Sequence, residues 1–192
     1  MIKILVASKR KGLGKTTLIE KFIKNLRGDI CIIKSSIHDK YNDFELLEDK
    51  NIIEEDNTDT YLFNKAGAKK VYYLKSNKTS LEEGIKNNLI KIKDYDYLIV
   101  EGNSIIEFIC FNLIYYLDEK GGDKKDSAEM CKNKADIIIN KEKEQEIEFN
   151  LDKISCFKAH ILGHSLAIPL KKVGKMLNEA NVRVNDCQLG LF

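Results

Sequence analysis

The stretch Lys3–Phe22, KILVASKRKGLGKTTLIEKF, decides the fold. It opens on a continuous apolar run, as a strand buried on both faces of a parallel sheet requires. It closes on an amphipathic helix in which Leu18, Ile19, Phe22, Ile23 and Leu26 share one face, with Gly28 expected to end it. Between the two lies the end of the pattern G-x-x-x-x-G-K-[ST], on Gly14, Lys15 and Thr16. The pattern's first glycine falls at position 9, where this chain has Lys9. A strand, a glycine-containing loop and a helix start together aim main-chain N–H groups and a positive dipole end at an anion. Lys11, Gly12, Leu13, Gly14, Lys15, Thr16 and Thr17 are therefore assigned to the phosphates of a nucleoside triphosphate. Gly12 and Gly14 permit close approach, and Lys15 lies along the β- and γ-phosphates. The Thr16 hydroxyl ligates Mg²⁺, and Thr17 adds a donor. Lys9, Arg10 and Lys11 make the local field positive, which suits a polyanion.

Outward from this loop the pattern repeats. ICIIK (30–34), KKVYYLK (69–75), DYLIVEG (96–102), EFICFNLIYYL (107–117) and ADIIIN (135–140) read as strands. TDTYLFNKAGA, TSLEEGIKNNLIKIKD (capped by Thr79 or Ser80) and SAEMCKN read as helices, residues 35–57 as a long loop, and KEKEQEIE as a solvated charge run. Strands alternating with helices through single crossovers specify an α/β fold: a three-layer sandwich on a mainly parallel sheet. From about Ile154 the texture changes. CFKAHILGHSLA and IPLKKVGKMLNEANV, the latter starting at Pro169, read as two helices, and VNDCQLGLF as a tail. The division expected is a nucleotide-binding domain over 1–150 and a small helical appendage over 151–192, either packed on the sheet or forming a helix-turn-helix.

The remaining candidate residues follow from where such a sheet binds ligands, outside the carboxyl ends of its strands. Glu101 ends YLIVE, where burying a carboxylate without a cation is costly, so it is assigned to catalysis and to Mg²⁺ beside Thr16. His38 and Asp39 follow the second strand and are candidates to meet phosphate, Mg²⁺ or substrate. Asp59, heading the predicted helix TDTYLFNKAGA, is either a helix-end charge partner or a catalytic carboxylate. IIINKEKE begins like the guanine-reading N-K-x-D: Asn140 and Lys141 fit, while Lys143 stands where Asp belongs.

With 32 % charged residues but a net charge of only +2, no global field argues for nucleic acid or an anionic membrane. The most apolar stretch, IIEFICFNLIYYL, is shorter than the ~20 residues a membrane span needs, and the N-terminus lacks the form of a signal peptide. Cys31, Cys110, Cys131, Cys156 and Cys187 are scattered, without zinc spacing, and are expected to be buried, reduced thiols of a cytoplasmic protein.

These segments, in this order, resemble the molybdopterin-guanine dinucleotide biosynthesis protein B (MobB) family from about residue 2 to about residue 141. KGLGKTTLI fits the later part of that family's loop. IIKSSIH keeps Lys34 and His38 of its V-V-K-H-x-x-H, with Ser35 for the first His. DNTDTYLFNKAGAKKVYYL and YLIVEG are similar to its following segments. Lys9, Ser35 and NSIIEF depart from the family pattern, and the chain beyond Ile154 lies outside it. The resemblance implies a small GTPase-like protein of slow turnover, a weak NTPase binding GTP (or ATP) with Mg²⁺. It would be a homodimer working with a nucleotidyltransferase that attaches a nucleotide to molybdopterin. The loop also resembles the K-G-G-x-G-K-T-T of the MinD/ParA class, with Arg10 at the lysine that reaches a partner subunit's nucleotide. The competing reading is a nucleotide-sensing, DNA-binding regulator, with Lys171, Lys172, Lys175 and Arg183 of the C-terminal helices facing phosphates.

Overall fold

A computed structural model describes residues 1–38, 43–48, 58–121, 126–141 and 146–186. Eight strands form one sheet: β1 (Ile2–Ser8), β2 (Ile30–Ile37), β3 (Glu45–Leu47), β4 (Lys70–Ser76), β5 (Tyr97–Glu101), β6 (Leu113–Asp118), β7 (Ile137–Asn140) and β8 (Glu146–Phe149). Their order is β3-β4-β2-β5-β1-β6-β7-β8, with only the edge pairs β3–β4 and β7–β8 antiparallel. Among the described residues six α-helices accompany them: α1 (Lys15–Asn25), α2 (Asp59–Ala66), α3 (Leu81–Lys91), α4 (Asp126–Lys134), α5 (Cys156–Ser165) and α6 (Leu170–Glu179). Strands β9 (Lys153–Ser155) and β10 (Arg183–Asn185) make a separate parallel pair.

Strand periodicity divides the core into two. Ile4, Val6, Ile32, Ile99 and Tyr115 face one side, where Ile19 and Phe22 of α1, Phe63 of α2 and Leu162 of α5 pack on them. Leu5, Ala7, Ile33, Val100 and Tyr116 face the other, under Leu81 and Ile85 of α3 and Ala128 and Cys131 of α4. Each fully buried Leu, Ile or Phe contributes roughly 1.5–3 kcal/mol. A sheet apolar on both faces therefore demands helices on both, which is the three-layer α/β architecture. From β1 the chain crosses to β2 on one side, and from β5 it crosses past β1 to β6 on the other. The crevice at the carboxyl end of β1 is thus the topological switch point.

Several expectations need correction. The segment 107–117 is not one strand. Ser104–Glu107 form a 3₁₀ turn, with Ile105 and Ile106 buried, and only Leu113–Asp118 join the sheet. The region 35–57 is not loop throughout, since β2 runs on to Ile37 and Glu45–Leu47 pair with β4. Part of the charge run KEKEQEIE is edge strand β8, whose Ile147 packs against the core while Glu146 and Glu148 are exposed. The tail contributes β10.

Gly28 does not close α1. That helix ends at Leu26, which is extended, and Gly28 (φ 133°) instead makes room for Asp96, whose Oδ2 accepts the Asp29 N–H at 2.7 Å. Neither Thr79 nor Ser80 caps α3 through its side chain. Ser80 is the N-cap residue all the same, and Asn77 Oδ1 holds the turn that precedes the helix, accepting from the N–H groups of Thr79 (2.9 Å) and Ser80 (2.7 Å). Cys31 and Cys131 are buried, and burial pushes both thiols up to about 12, whereas Cys110 is exposed and Cys156 half-buried. Cys187 lies outside the described residues. No helix among the described residues is long and apolar enough to cross a membrane.

Candidate functional site

The switch-point crevice is a pocket of about 560 Å³, lined by the loop between β1 and α1 and by the ends of β2, β4 and β5. The loop has the shape its glycines allow. Gly12 and Gly14 are left-handed, with φ of 81° and 85°. A Cβ on Gly12 would meet nothing within 4 Å. Gly14 caps α1 without any side-chain hydrogen bond, so the first-turn N–H groups of α1 have no capping side chain. Leu13, between the glycines, buries its side chain in the core and pins the loop down. Only its main chain is left to face a ligand.

Lys9 answers the departure from the loop pattern. Its side chain turns away from the crevice, and Nζ donates to the carbonyls of Glu119 (3.0 Å) and Gly121. Arg10 makes a two-pronged ion pair with Glu119 of the same chain. Lys11 and Thr17 line the crevice. The bulky residue at position 9 therefore ties the loop to the segment after β6 without occupying the crevice.

Beneath the loop, four ionisable side chains interlock. Strand register places Glu101 between Val6 and Lys34. Glu101 Oε1 lies 3.6 Å from Lys15 Nζ, which also donates to Ser8 Oγ at 3.0 Å. Glu101 Oε2 is buried and has no hydrogen-bond partner among the described residues. Burial pushes this carboxyl above its ordinary range, and the ammonium groups of Lys34 and Lys15 only partly oppose it. Asp59 stands in the first turn of α2, whose N-cap Thr58 accepts the Tyr61 N–H at 3.2 Å. It accepts the Thr16 hydroxyl at 2.7 Å on one oxygen and Lys34 Nζ on the other. Burial acts to raise Asp59, but the hydrogen bonds from Lys34 and Thr16, with the charges of Lys34 and Lys15, outweigh it and hold the carboxyl below its ordinary value. Thr16, Lys15, Asp59 and Glu101 are thus brought together. The carboxylate next to the Thr16 hydroxyl is Asp59, while Glu101 lies beside Lys15.

Other expected residues fall elsewhere. Asp39 lies outside the described residues. His38 lines the crevice, where its Nε2 is 2.8 Å from Ser36 Oγ and 3.4 Å from the Tyr73 hydroxyl. Asn140, which ends β7, and Lys141, just after it, are not part of the crevice wall, although Lys141 Nζ sits 2.8 Å from where a Gly14 Cβ would be. Lys143 lies outside the described residues.

Three contributors escaped assignment from the sequence. Ser8 closes β1 with an amide pair: its N–H donates to Asn103 Oδ1 (3.1 Å) and its carbonyl accepts from Asn103 Nδ2 (2.8 Å). Lys34 carries the cation between the two carboxylates. The available signals were the Asn directly after Glu101–Gly102 and a lysine in an otherwise apolar strand. Gly102 (φ 145°) is needed where it stands, since a Cβ there would press on the Ser35 carbonyl at 3.2 Å. Among the described residues no group of three or more His, Cys, Asp or Glu side chains could hold a metal.

The sequence profile described as Molybdopterin guanine dinucleotide synthesis protein B matches residues 4–107, more than half of the chain, and ends before β6. No curated protein matches significantly. Among solved structures, HypB from Helicobacter pylori in complex with nickel is similar at 16 % identity and a TM-score of 0.42, covering 96 % of this chain and 77 % of that one. That likeness is too distant to transfer any property.

Proposed function

The chain belongs to the molybdopterin guanine dinucleotide synthesis protein B family, and from that premise we propose that it binds a purine-nucleoside triphosphate, GTP in preference to ATP, with Mg²⁺, and hydrolyses it slowly in support of guanine-dinucleotide cofactor assembly. The observation that carries this reading is the left-handed Gly12–Gly14 loop, open above a crevice whose floor holds Lys15 and the partnerless Glu101 oxygen.

The residues fit both groups. Open space at Gly12 admits phosphate oxygens to the main-chain amides of the loop and the start of α1. Lys11, Lys15 and Lys34 line the crevice with two carboxylates, Asp59 and Glu101, and Lys141 Nζ stands outside its wall beside Gly14, a positive surplus that suits a polyanion. Thr16 and Asp59 would hold the cation, with Glu101 as the second carboxylate behind them. Magnesium, when bound, neutralises charge on the phosphate oxygens and fixes their geometry. Lys15 exchanges its contact with Ser8 for phosphate oxygens and stabilises charge there. Lys34 holds Asp59 ionised and oriented, and the buried Glu101 carboxyl orients water at the floor. Asp39 is proposed as a further catalytic carboxylate, and Asn140 and Lys141 as the base-recognising pair. The proposed assembly is a homodimer that works with a nucleotidyltransferase. Residues 1–150 are proposed as the nucleotide-binding domain, with 151–192 as its appendage.

Thermal melting with GTP or ATP, with and without Mg²⁺, tests the reading. Ligand at about a hundred times its Kd stabilises the native state by roughly 2.7 kcal/mol, a rise of several degrees. The expected pattern is the largest rise with GTP and Mg²⁺, absent in Lys15→Ala. No rise with either nucleotide at millimolar concentration would overturn it.

A further inference from the structure

The C-terminal unit has a geometry that nucleotide binding does not require. Helices α5 and α6 are joined by four residues, 166–169. The turn starts with a paired cap: the Ala167 N–H donates to His164 O (3.1 Å) and the Ile168 N–H to Gly163 O (2.8 Å), with Ala167 left-handed at φ 52°. The crossing is close. A Cβ on Gly163 would lie 2.9 Å from Leu170 Cδ2 and 3.0 Å from the Ile168 carbonyl. Strands β9 and β10 pair on either side and tie the end of α6 to the start of α5. Helix α5 is fixed to the main body by the buried contact between Ser165 Oγ and the Tyr115 hydroxyl (2.7 Å) and by Leu162 in the core. Helix α6 buries Val173 and Leu177 and turns its other face outward. This is the arrangement of a helix-turn-helix, with the second helix presented.

The presented face is a shallow groove lined by Pro169, Lys171, Lys172, Gly174, Lys175 and Asn178, with Glu179 at its end. Lys171, Lys172 and Lys175 are exposed, as is Arg183 just beyond on β10. The acids nearby include Glu179, 3.7 Å from Lys175, and the exposed Asp152, whose carbonyl accepts the Arg183 N–H at 2.9 Å. A Cβ on Gly174 would meet nothing within 4 Å, so the helix can approach a surface closely at its centre.

The geometry points to duplex DNA as the occupant, with α6 entering the major groove, Lys171, Lys172 and Lys175 on phosphates and Asn178 facing base edges. Charge complementarity and shape select this class. A lysine-rich face is what protein–protein interface cores lack. A membrane-surface helix would display a row of large apolar side chains, whereas on α6 Leu170 alone, 41 % exposed, does so, and the other exposed ones of this unit, Phe157 and Val184, lie on α5 and β10. The deep, narrow major groove of duplex RNA excludes a helix, whereas that of B-form DNA, about 12 Å wide, admits one.

The test is fluorescence anisotropy of the full chain with a mixed-sequence duplex of about 30 base pairs, at about 50 and 200 mM salt. Three phosphate contacts predict saturable binding at the lower salt and a fall of about forty-fold at the higher. Lys171→Ala with Lys175→Ala should weaken low-salt binding at least about tenfold and reduce the salt effect to about fourfold, with an unchanged melting curve showing that the variant is folded. Absence of binding at low salt would overturn the inference. So would a double variant that binds like the parent, or equal or tighter binding to duplex RNA of the same length or to vesicles containing phosphatidylglycerol.

Discussion

The loop before α1 and the turn between α5 and α6 use the same backbone device to opposite ends. Both turn left-handed, at Gly12 and Gly14 in the first and at Ala167 in the second. Both place a glycine at the critical approach. Beside Gly12 there is open space, and below the loop a buried carboxylate oxygen has no hydrogen-bond partner among the described residues. Beside Gly163 the space is filled by Leu170, Val173 and the Ile168 carbonyl, and the one buried hydroxyl there, of Ser165, is hydrogen-bonded to Tyr115 and to the Leu162 carbonyl. Vacant volume next to unsatisfied polar atoms is costly for a folded chain and marks a place made for a ligand. Filled volume next to satisfied atoms marks packing. The C-terminal unit is therefore closely packed at its turn, and its outward helix face, rather than its interior, is the part open to binding.

Substitutions can break that contrast, beginning with the largest effect. Lys15→Ala should weaken triphosphate binding by at least about a hundredfold, measured by titration calorimetry, while lowering the unliganded melting temperature only modestly as buried Glu101 loses one of its ammonium neighbours. If the stability falls and the affinity does not, the loop is a structural turn and the contrast fails. Gly163→Val should do the reverse, costing about 2–3 kcal/mol by overpacking against a backbone carbonyl. Denaturant unfolding measures it, and the nucleotide affinity of the folded protein should hold.

Glu101→Gln sharpens the loop side of the comparison. Because burial raises the Glu101 carboxyl above 4.5, the native state keeps this proton at pH values where the unfolded chain has lost it. Ionised Glu101 therefore weakens the unliganded fold as pH rises past about 4.5. The variant should be more stable than the parent by about 1 kcal/mol near neutral pH and no more stable near pH 4, while losing its Mg²⁺-dependent nucleotide response. Asp59 has the opposite sign. Held below 3.8, it supplies stability that is present above that value and lost as pH falls through its folded pKa. Melting curves across acid and neutral pH separate the two carboxylates. The smallest effect is expected from Ala167→Gly. It should stabilise the turn by about 0.5–1 kcal/mol, because glycine adopts the left-handed conformation without the Cβ penalty.

Legibility followed the range of the interactions. The runs around Ile4, Ile32 and Val100 showed their strands because burial on both faces needs no knowledge of neighbours. Helix α1 showed itself by the spacing of Ile19, Phe22 and Ile23. The strand expected over 107–117 misled because a 3₁₀ turn that buries Ile105 and Ile106, followed by half-buried Phe108 and Phe111, is as apolar as a strand. Edge strand β8 stayed hidden because Glu146 and Glu148 point to solvent on alternate positions and resemble a charge run. Within the site, Lys15, Thr16, Asp59 and Glu101 were readable from their places at element ends. Lys34 and Asn103 were not assigned, because their roles arise only when β2, β5 and β1 lie side by side.

The sequence by itself determined the alternation of strand and helix, the phosphate-loop pattern and the two helices beyond Ile154, since each is written in the periodicity or spacing of a short segment. The tertiary structure alone decided which carboxylate meets which ammonium, that Lys9 reaches the Glu119 and Gly121 carbonyls instead of entering the crevice, and that the Lys171–Lys175 face of α6 points outward. Those outcomes depend on sheet order and helix docking, which bring together residues more than a hundred positions apart, and no local pattern encodes such a pairing.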